Sequence, residues 1–270
     1  MSILQSIILG LIQGLTEFLP VSSSAHLIIV PWLFGWKEHL LIFDIILHLA
    51  TFCAIIIYFR KEWLDILREG FLSIRERTLR DSNQGRLFWG IIISSIPGVI
   101  FGSLIGNRVE HYLRNPITIA VTLGIFGLVL YISELYGRKD KSLAEVTWQF
   151  SLLIGFSQIL AFIPGASRSG VTISTALALG MNRESSVRFS FLMSAPIVFT
   201  AACYGIGGLG EINKFLSWQA LLTGFIVSFL SSIGAIYFLF KYIRKQPFTV
   251  FVIYRLAISL FIISALFWRG

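Results

Sequence analysis

The sequence predicts an all-α polytopic membrane protein with two inverted-topology repeats, about six transmembrane helices and two re-entrant helical hairpins. Three observations point to it. The 270 residues are 56% hydrophobic and only 13% charged, with a mean hydropathy of +0.80, where soluble domains carry about a quarter charged residues. Long apolar runs recur along the chain, at 87–106, 116–133 and 248–268 among others. Each can cross a hydrocarbon core of roughly 30 Å at about 1.5 Å per helical residue. Finally, GLIQGLTEFLPVSSSAH (10–26) is echoed by GFSQILAFIPGASRSG (155–170).

The echo keeps its order further on. GWKEHLLIFDIILHLA (35–50) resembles GMNRESSVRFSFLMSAP (180–196), and NPITIAV (115–121) is matched by QPFTVFV (246–252). One unit is therefore read as duplicated within a single membrane domain, 1–270. The first repeat is 1–137 and the second, inverted one is 148–270, with the seam near GRKDKSLAE (137–145).

Each half parses alike. A short apolar segment (3–19; 149–163) ends at Pro20 or Pro164. A serine-rich turn follows, then a second short segment (25–36; 171–181), then three longer spans. Short, interrupted segments at matching positions of two halves mark re-entrant hairpins and a midplane site. The plainer alternative, two cramped full spans in each half, would make ten. Loop charge supports the first parse. The segments 60–86, 137–148 and 241–247 hold thirteen basic residues, Arg80 among them, against Arg108, Arg114 and Lys214 in 107–115 and 210–217. Basic loops face the cytoplasm. Three spans per half is an odd number, so the second half is inverted and the two hairpins approach from opposite faces.

The net charge of +8 is accounted for by those loops, and no nucleic-acid motif interrupts the apolar pattern. Cys53 and Cys203 lack metal-ligand spacing and are read as packing residues. The start, MSILQSIILG, has no basic n-region and reads as a retained segment.

The two polar turns assemble a site. A proline, a run of serines and a new helix present free N–H groups and the positive end of a dipole, so two opposed helix N-termini make an anion site suited to phosphate. Arg168 adds a cation able to hold two phosphate oxygens. A helix cap at the membrane face is the plainer role for it, but its small and hydroxyl neighbours argue otherwise. Glu17 lies one turn after Gln13, and this carboxylate–amide pair suits a divalent cation bridging phosphate oxygens. His26 follows Ser22 by four residues and Ser23 by three, a spacing that would let it activate a hydroxyl or water, protonate a leaving phosphate or take a phosphoryl group. Ser22, Ser23 and Ser24 also suit plain N-caps. Asp44 and His48 form an i,i+4 pair expected to support the first hairpin, and the embedded Arg255 is expected to meet a carbonyl or an acid.

These motifs, with FDxxLHLAT and PGASRSGxTIS, resemble the undecaprenyl-diphosphate phosphatase (bacitracin-resistance protein) family over essentially the whole chain. The resemblance implies hydrolysis of undecaprenyl diphosphate to the monophosphate, with Mg²⁺ or Ca²⁺ required. The lipid carrier would be recycled for peptidoglycan synthesis and bacitracin resistance conferred. By position it places the catalytic set on Glu17, Ser23, His26 and Arg168. Phosphate binding falls on Ser22, Ser24, Gly165, Ser167, Arg168 and Ser169, and the metal on Glu17 and Gln13. Some members carry glutamate at the position of Gln13, which leaves Glu17 as the principal acid. The nucleophile stays open between serine, histidine and water. The expected setting is the bacterial cell membrane, with the site open to the extracytoplasmic side. Expected partners are the prenyl diphosphate and membrane lipids, with a homodimer as a further candidate and no nucleic acid. The acid-phosphatase type of lipid phosphatase is a poorer match, lacking its Lys…Arg-Pro block and downstream His and Asp. A lipid-phosphate transporter or flippase using the same anion site is the second expectation.

Overall fold

The computed structural model describes residues 1–37, 41–77, 82–106, 112–205 and 217–269, without the side chains at 41, 105–106, 201–205 and 269. Arg80, Arg108, Lys214 and the Cys203 side chain therefore lie outside the described residues. Helices dominate because a chain in lipid must satisfy its backbone polar groups internally. The described residues hold eleven α-helices and no β-strand, only a lone bridge from Lys141 to Met181.

The first hairpin is α1 (Ile3–Phe18) and α2 (Ser23–Phe34). A capping box between Ser2 and Gln5 opens α1. The residue before a proline is pushed out of the helical region, and Leu19 is accordingly extended, with φ −68° and ψ 139°. Then come α3 (Leu41–Tyr58), α4 (Arg60–Glu76), α5 (Asn83–Phe101) with a π-helical continuation (Gly102–Gly106), and α6 (Pro116–Tyr136), capped by Asn115 with Pro116 in its first turn. The second hairpin is α7 (Trp148–Ile159), capped by Thr147, and α8 (Arg168–Ala178). Three helices complete the chain: α9 (Arg183–Gly205), α10 (Trp218–Ile243) and α11 (Thr249–Arg269).

Among these, α5 with its continuation, α6, α10 and α11 are each long and apolar enough to cross a membrane, and α3 passes only together with α4. The remaining expected span, α9, is not among them: it opens with Arg183, Glu184 and Arg188, and much of its described part lies inside the protein. Its serines 185, 186, 190 and 194 are buried with Phe189, Phe191, Leu192 and Met193. Ser186 and Ser194 donate back to Asn182 O and Phe191 O, so the interior position costs no unsatisfied hydroxyl there. The reading of 60–86 as loop needs correction. Residues Arg60–Glu76 form α4, bent 82° from α3. Its packed face alternates with charge in a way that a search for long apolar runs passes over.

The halves exchange partners. α1 packs on α10 and α7 on α5, α3 packs on α10 and α9 on α5, while α3 meets α9 and α6 meets α11. Glycines bring the paired backbones close, as small residues do between helices in lipid. A Cβ on Gly14 would lie 2.4 Å from Ser228 O, and one on Gly155 would lie 2.5 Å from Ser94 O. Backbone cannot yield as a side-chain tip can. Gly155→Val is therefore expected to part α7 from α5 at a cost of about 1–3 kcal/mol, measured as a lower melting temperature in detergent. An unchanged melting temperature would show that the contact is slack.

Candidate active site

Both hairpin turns fold the same way. Ser22 and Ser167 are the N-caps of α2 and α8, and both have positive φ, 75° and 72°, with ψ of 96° and 113°. Such values cost a non-glycine residue about 1–3 kcal/mol and persist only where the surroundings enforce them. The Ser22 hydroxyl accepts from Ala25 N at 3.4 Å and that of Ser167 from Gly170 N at 3.1 Å. A second hydroxyl bonds each cap, Ser24 at 3.2 Å and Ser169 at 3.3 Å. Of the serines expected at the phosphate, Ser22 and Ser167 are thus the caps of two helix N-termini, and Ser24 and Ser169 bond to them. Gly165 holds the second turn with φ 95°, where a Cβ would strike Thr122 Oγ1 at 2.1 Å.

The residue after each cap reaches one carboxylate. Ser23 Oγ donates to Glu17 Oε2 at 2.6 Å, and Arg168 Nη2 donates to Glu17 Oε1 at 2.6 Å. Gln13 Nε2 donates to Oε2 at 3.0 Å from one turn earlier in α1. The two hairpins therefore meet at Glu17, which is only 7% exposed. Ser169 Oγ adds a bond to Leu19 O at 3.3 Å. Two polar atoms in the cluster stay buried without a partner, Arg168 Nη1 and Gln13 Oε1.

Arg255 locks the turns together. It is fully buried, and its guanidinium donates to Pro20 O in the first turn and to Gly165 O and Ala166 O in the second, at 3.2, 2.9 and 3.1 Å. Its Nε donates to Leu123 O at 3.2 Å. The carbonyl partners expected for this arginine are thus found, on both hairpins at once.

Two histidines flank the first turn. His26 Nδ1 meets Ser22 O at 2.7 Å, and since a carbonyl only accepts, that nitrogen carries the proton. Its Nε2 meets the Tyr254 hydroxyl at 2.8 Å, with the two rings stacked. His26 thus bonds to α11 and not to Glu17. His48 bonds not to the Asp44 carboxylate but to its backbone O, at 2.8 Å from Nδ1, and turns Nε2 toward Glu17 Oε2 at 3.7 Å. His48 is the site neighbour the spacing argument undervalued, since a fold of α3 against α1 is needed to see it. Tyr254 gave no signal beyond its place beside Arg255. Tyr254→Phe is expected to remove one hydrogen bond worth about 1 kcal/mol, seen as a small fall in melting temperature.

The sequence profile described as bacitracin resistance protein BacA matches residues 6–261. The chain belongs to this family. Among curated BacA-like relatives, undecaprenyl-diphosphatase 1 of Pseudoalteromonas translucida (strain TAC 125) is 43% identical over 96% of this chain and 97% of its own. The undecaprenyl-diphosphatase of Moorella thermoacetica (strain ATCC 39073 / JCM 9320) is 43% identical over 99% of both chains. That of Saccharophagus degradans (strain 2-40 / ATCC 43961 / DSM 17024) is 44% identical over 96% of both.

How well this BacA-family site suits a divalent cation can be judged from its donors. No group of three or more His, Cys, Asp or Glu able to hold a metal occurs among the described residues, so a closed protein cage is not offered. Glu17 and the unpartnered Gln13 Oε1 do suit a hard cation that draws its other ligands from phosphate oxygens and water, the usual habit of Mg²⁺ at phosphates.

Proposed function

We propose that the chain is an integral-membrane phosphatase cleaving undecaprenyl diphosphate to undecaprenyl phosphate and inorganic phosphate, the activity for which its relatives are named. The observation that carries this is Arg168. One terminal nitrogen holds Glu17 and the other, Nη1, is buried without a partner. A buried guanidinium N–H is costly to leave unmet, and a phosphate oxygen meets it. The N-termini of α2 and α8 add their dipoles from the same pair of turns.

Ser23 is the favoured nucleophile. Its hydroxyl already donates to Glu17 Oε2, so Glu17 takes that proton as Oγ attacks the terminal phosphorus. The bridging P–O bond breaks and lipid phosphate leaves with the bond's electron pair. Water then attacks the phosphoserine and Ser23 regains its proton, releasing inorganic phosphate. Arg168 and the two helix ends stabilise the charge on the equatorial oxygens. His48 Nε2 faces Glu17 and steadies its carboxylate. His26 holds α2 against Tyr254. Mg²⁺ or Ca²⁺, held by Glu17 and Gln13 with substrate oxygens, would neutralise the diphosphate. The apolar helices, the sequence echo between 1–137 and 148–270 and the charges of the connecting segments support a multi-pass protein of the bacterial cell membrane whose site opens to the extracytoplasmic side. Lipid translocation alone gives the Glu17–Ser23 bond no task.

The test is phosphate release from a long-chain prenyl diphosphate by detergent-purified protein, with and without Mg²⁺ or Ca²⁺. Metal-dependent release is expected in the wild type. Ser23→Ala and Glu17→Gln should each lower kcat about a thousandfold or more. Full release by Ser23→Ala would remove serine as nucleophile in favour of water. No release by folded wild type would sink the phosphatase and leave transport.

A further inference from the structure

Helix α4 is not needed to build the site, yet its surface is strongly ordered. It leaves α3 at 82°, so it lies across the direction of a spanning helix. One side is fixed to the protein: Ile66 is fully buried, Gly70 sits against the Phe88 ring, and Trp89 Nε1 donates to Ser73 Oγ at 3.1 Å. The other side carries Leu64, Leu67, Phe71 and Ile74, exposed by 68, 53, 65 and 58%. Their i, i+3, i+7, i+10 spacing makes one continuous stripe.

Charge is sorted around the same helix. Moving away from the packed side, the apolar stripe comes first. Next lie Lys61, Arg68 and Arg75, all exposed and without a hydrogen-bond or ion-pair partner among the described residues. Beyond them lie Asp65, Glu69 and Glu76. This sequence of apolar, basic and acidic faces matches acyl chains, headgroup phosphates and water in turn. At the bend, a cleft of about 370 Å³ is lined by Tyr58, Phe59, Arg60, Lys61, Glu62 and Arg188, which continues the basic row.

We propose that α4 is an interfacial helix docked on anionic lipid. Its apolar stripe sits among the upper acyl chains at the membrane face where α3 ends, and Lys61, Arg68 and Arg75 bind the phosphates of acidic headgroups. The occupant is lipid, not a second protein, because the three cations flank the stripe on one side only, where a flat anionic surface can reach them all.

The test uses the full chain in nanodiscs, with Cys53 and Cys203 replaced by serine and a bimane label at Phe71→Cys. Brominated phosphatidylglycerol and brominated phosphatidylcholine are compared at equal mole fraction. Strong quenching with a preference for phosphatidylglycerol is expected, and each of Lys61→Gln, Arg68→Gln and Arg75→Gln should lower that preference about fivefold. A label at Asp65→Cys should instead be reached by aqueous iodide. Retained phosphate release shows that each variant is folded. Equal quenching by the two lipids, or iodide access at Phe71→Cys, would overturn the proposal.

Discussion

Arg168→Ala is expected to reduce phosphate release about a thousandfold, comparable to removing a principal donor from an oxyanion site. The effect has two parts. The variant loses the unpartnered Nη1 donor, which the transition state alone would use in full, so kcat should fall more than KM rises. It also leaves Glu17 buried beside Ser23 and Gln13 without its cation, a change of about 3–5 kcal/mol when a buried pair is broken from one side. Arg168→Lys separates the parts. Its single ammonium can neutralise Glu17 or reach a phosphate, not both in the planar manner of a guanidinium. It should restore much of the melting temperature while leaving turnover about a hundredfold down. Turnover of Arg168→Ala within threefold of the wild type would break the assignment.

Arg255→Lys is expected to be the most damaging conservative exchange in the chain. Four carbonyls, from α6 and from both hairpin turns, converge on the guanidinium. An ammonium can satisfy at most three, and rarely from one plane. Leaving even two buried acceptors unmet costs about 3 kcal/mol, which corresponds to a fall in melting temperature of roughly 6–12 °C. Release should fall too, because the turns that present Ser23 and Arg168 are no longer held to one another. A shift under about 2 °C would show that the turns hold themselves.

Much of this was legible in the sequence, and the reason is physical. Pro20 and Pro164, unlike the helix-interior Pro31, Pro97 and Pro196, are each followed by serines that cap the next helix, and a charge among apolar residues has few uses. The meeting of Glu17, Gln13, Ser23 and Arg168 follows from those rules. His48 does not, since its approach to Glu17 depends on how α3 lies against α1, which the spacing within either helix does not give. The pairing of His26 with Tyr254 is hidden for the same reason, since the two lie 228 residues apart. The sorted faces of α4 were readable but hidden, because its apolar positions never form a run.

Ser23 and Arg168 occupy the same position in two turns of the same shape, one residue past a strained serine cap. A pair of identical subunits would be obliged to place the same residue at both. With both turns in one chain, each copy was free to change alone. One position could then become a hydroxyl able to react and the other a cation able to steady what it reacts with. Glu17 has no acidic counterpart in the second copy, where Phe162 stands. The result is one reaction centre from two turns that share a serine cap and differ in three side chains and in the approach to the cap, where the second turn passes through a 3-10 stretch (Leu160–Phe162) and a positive φ at Gly165.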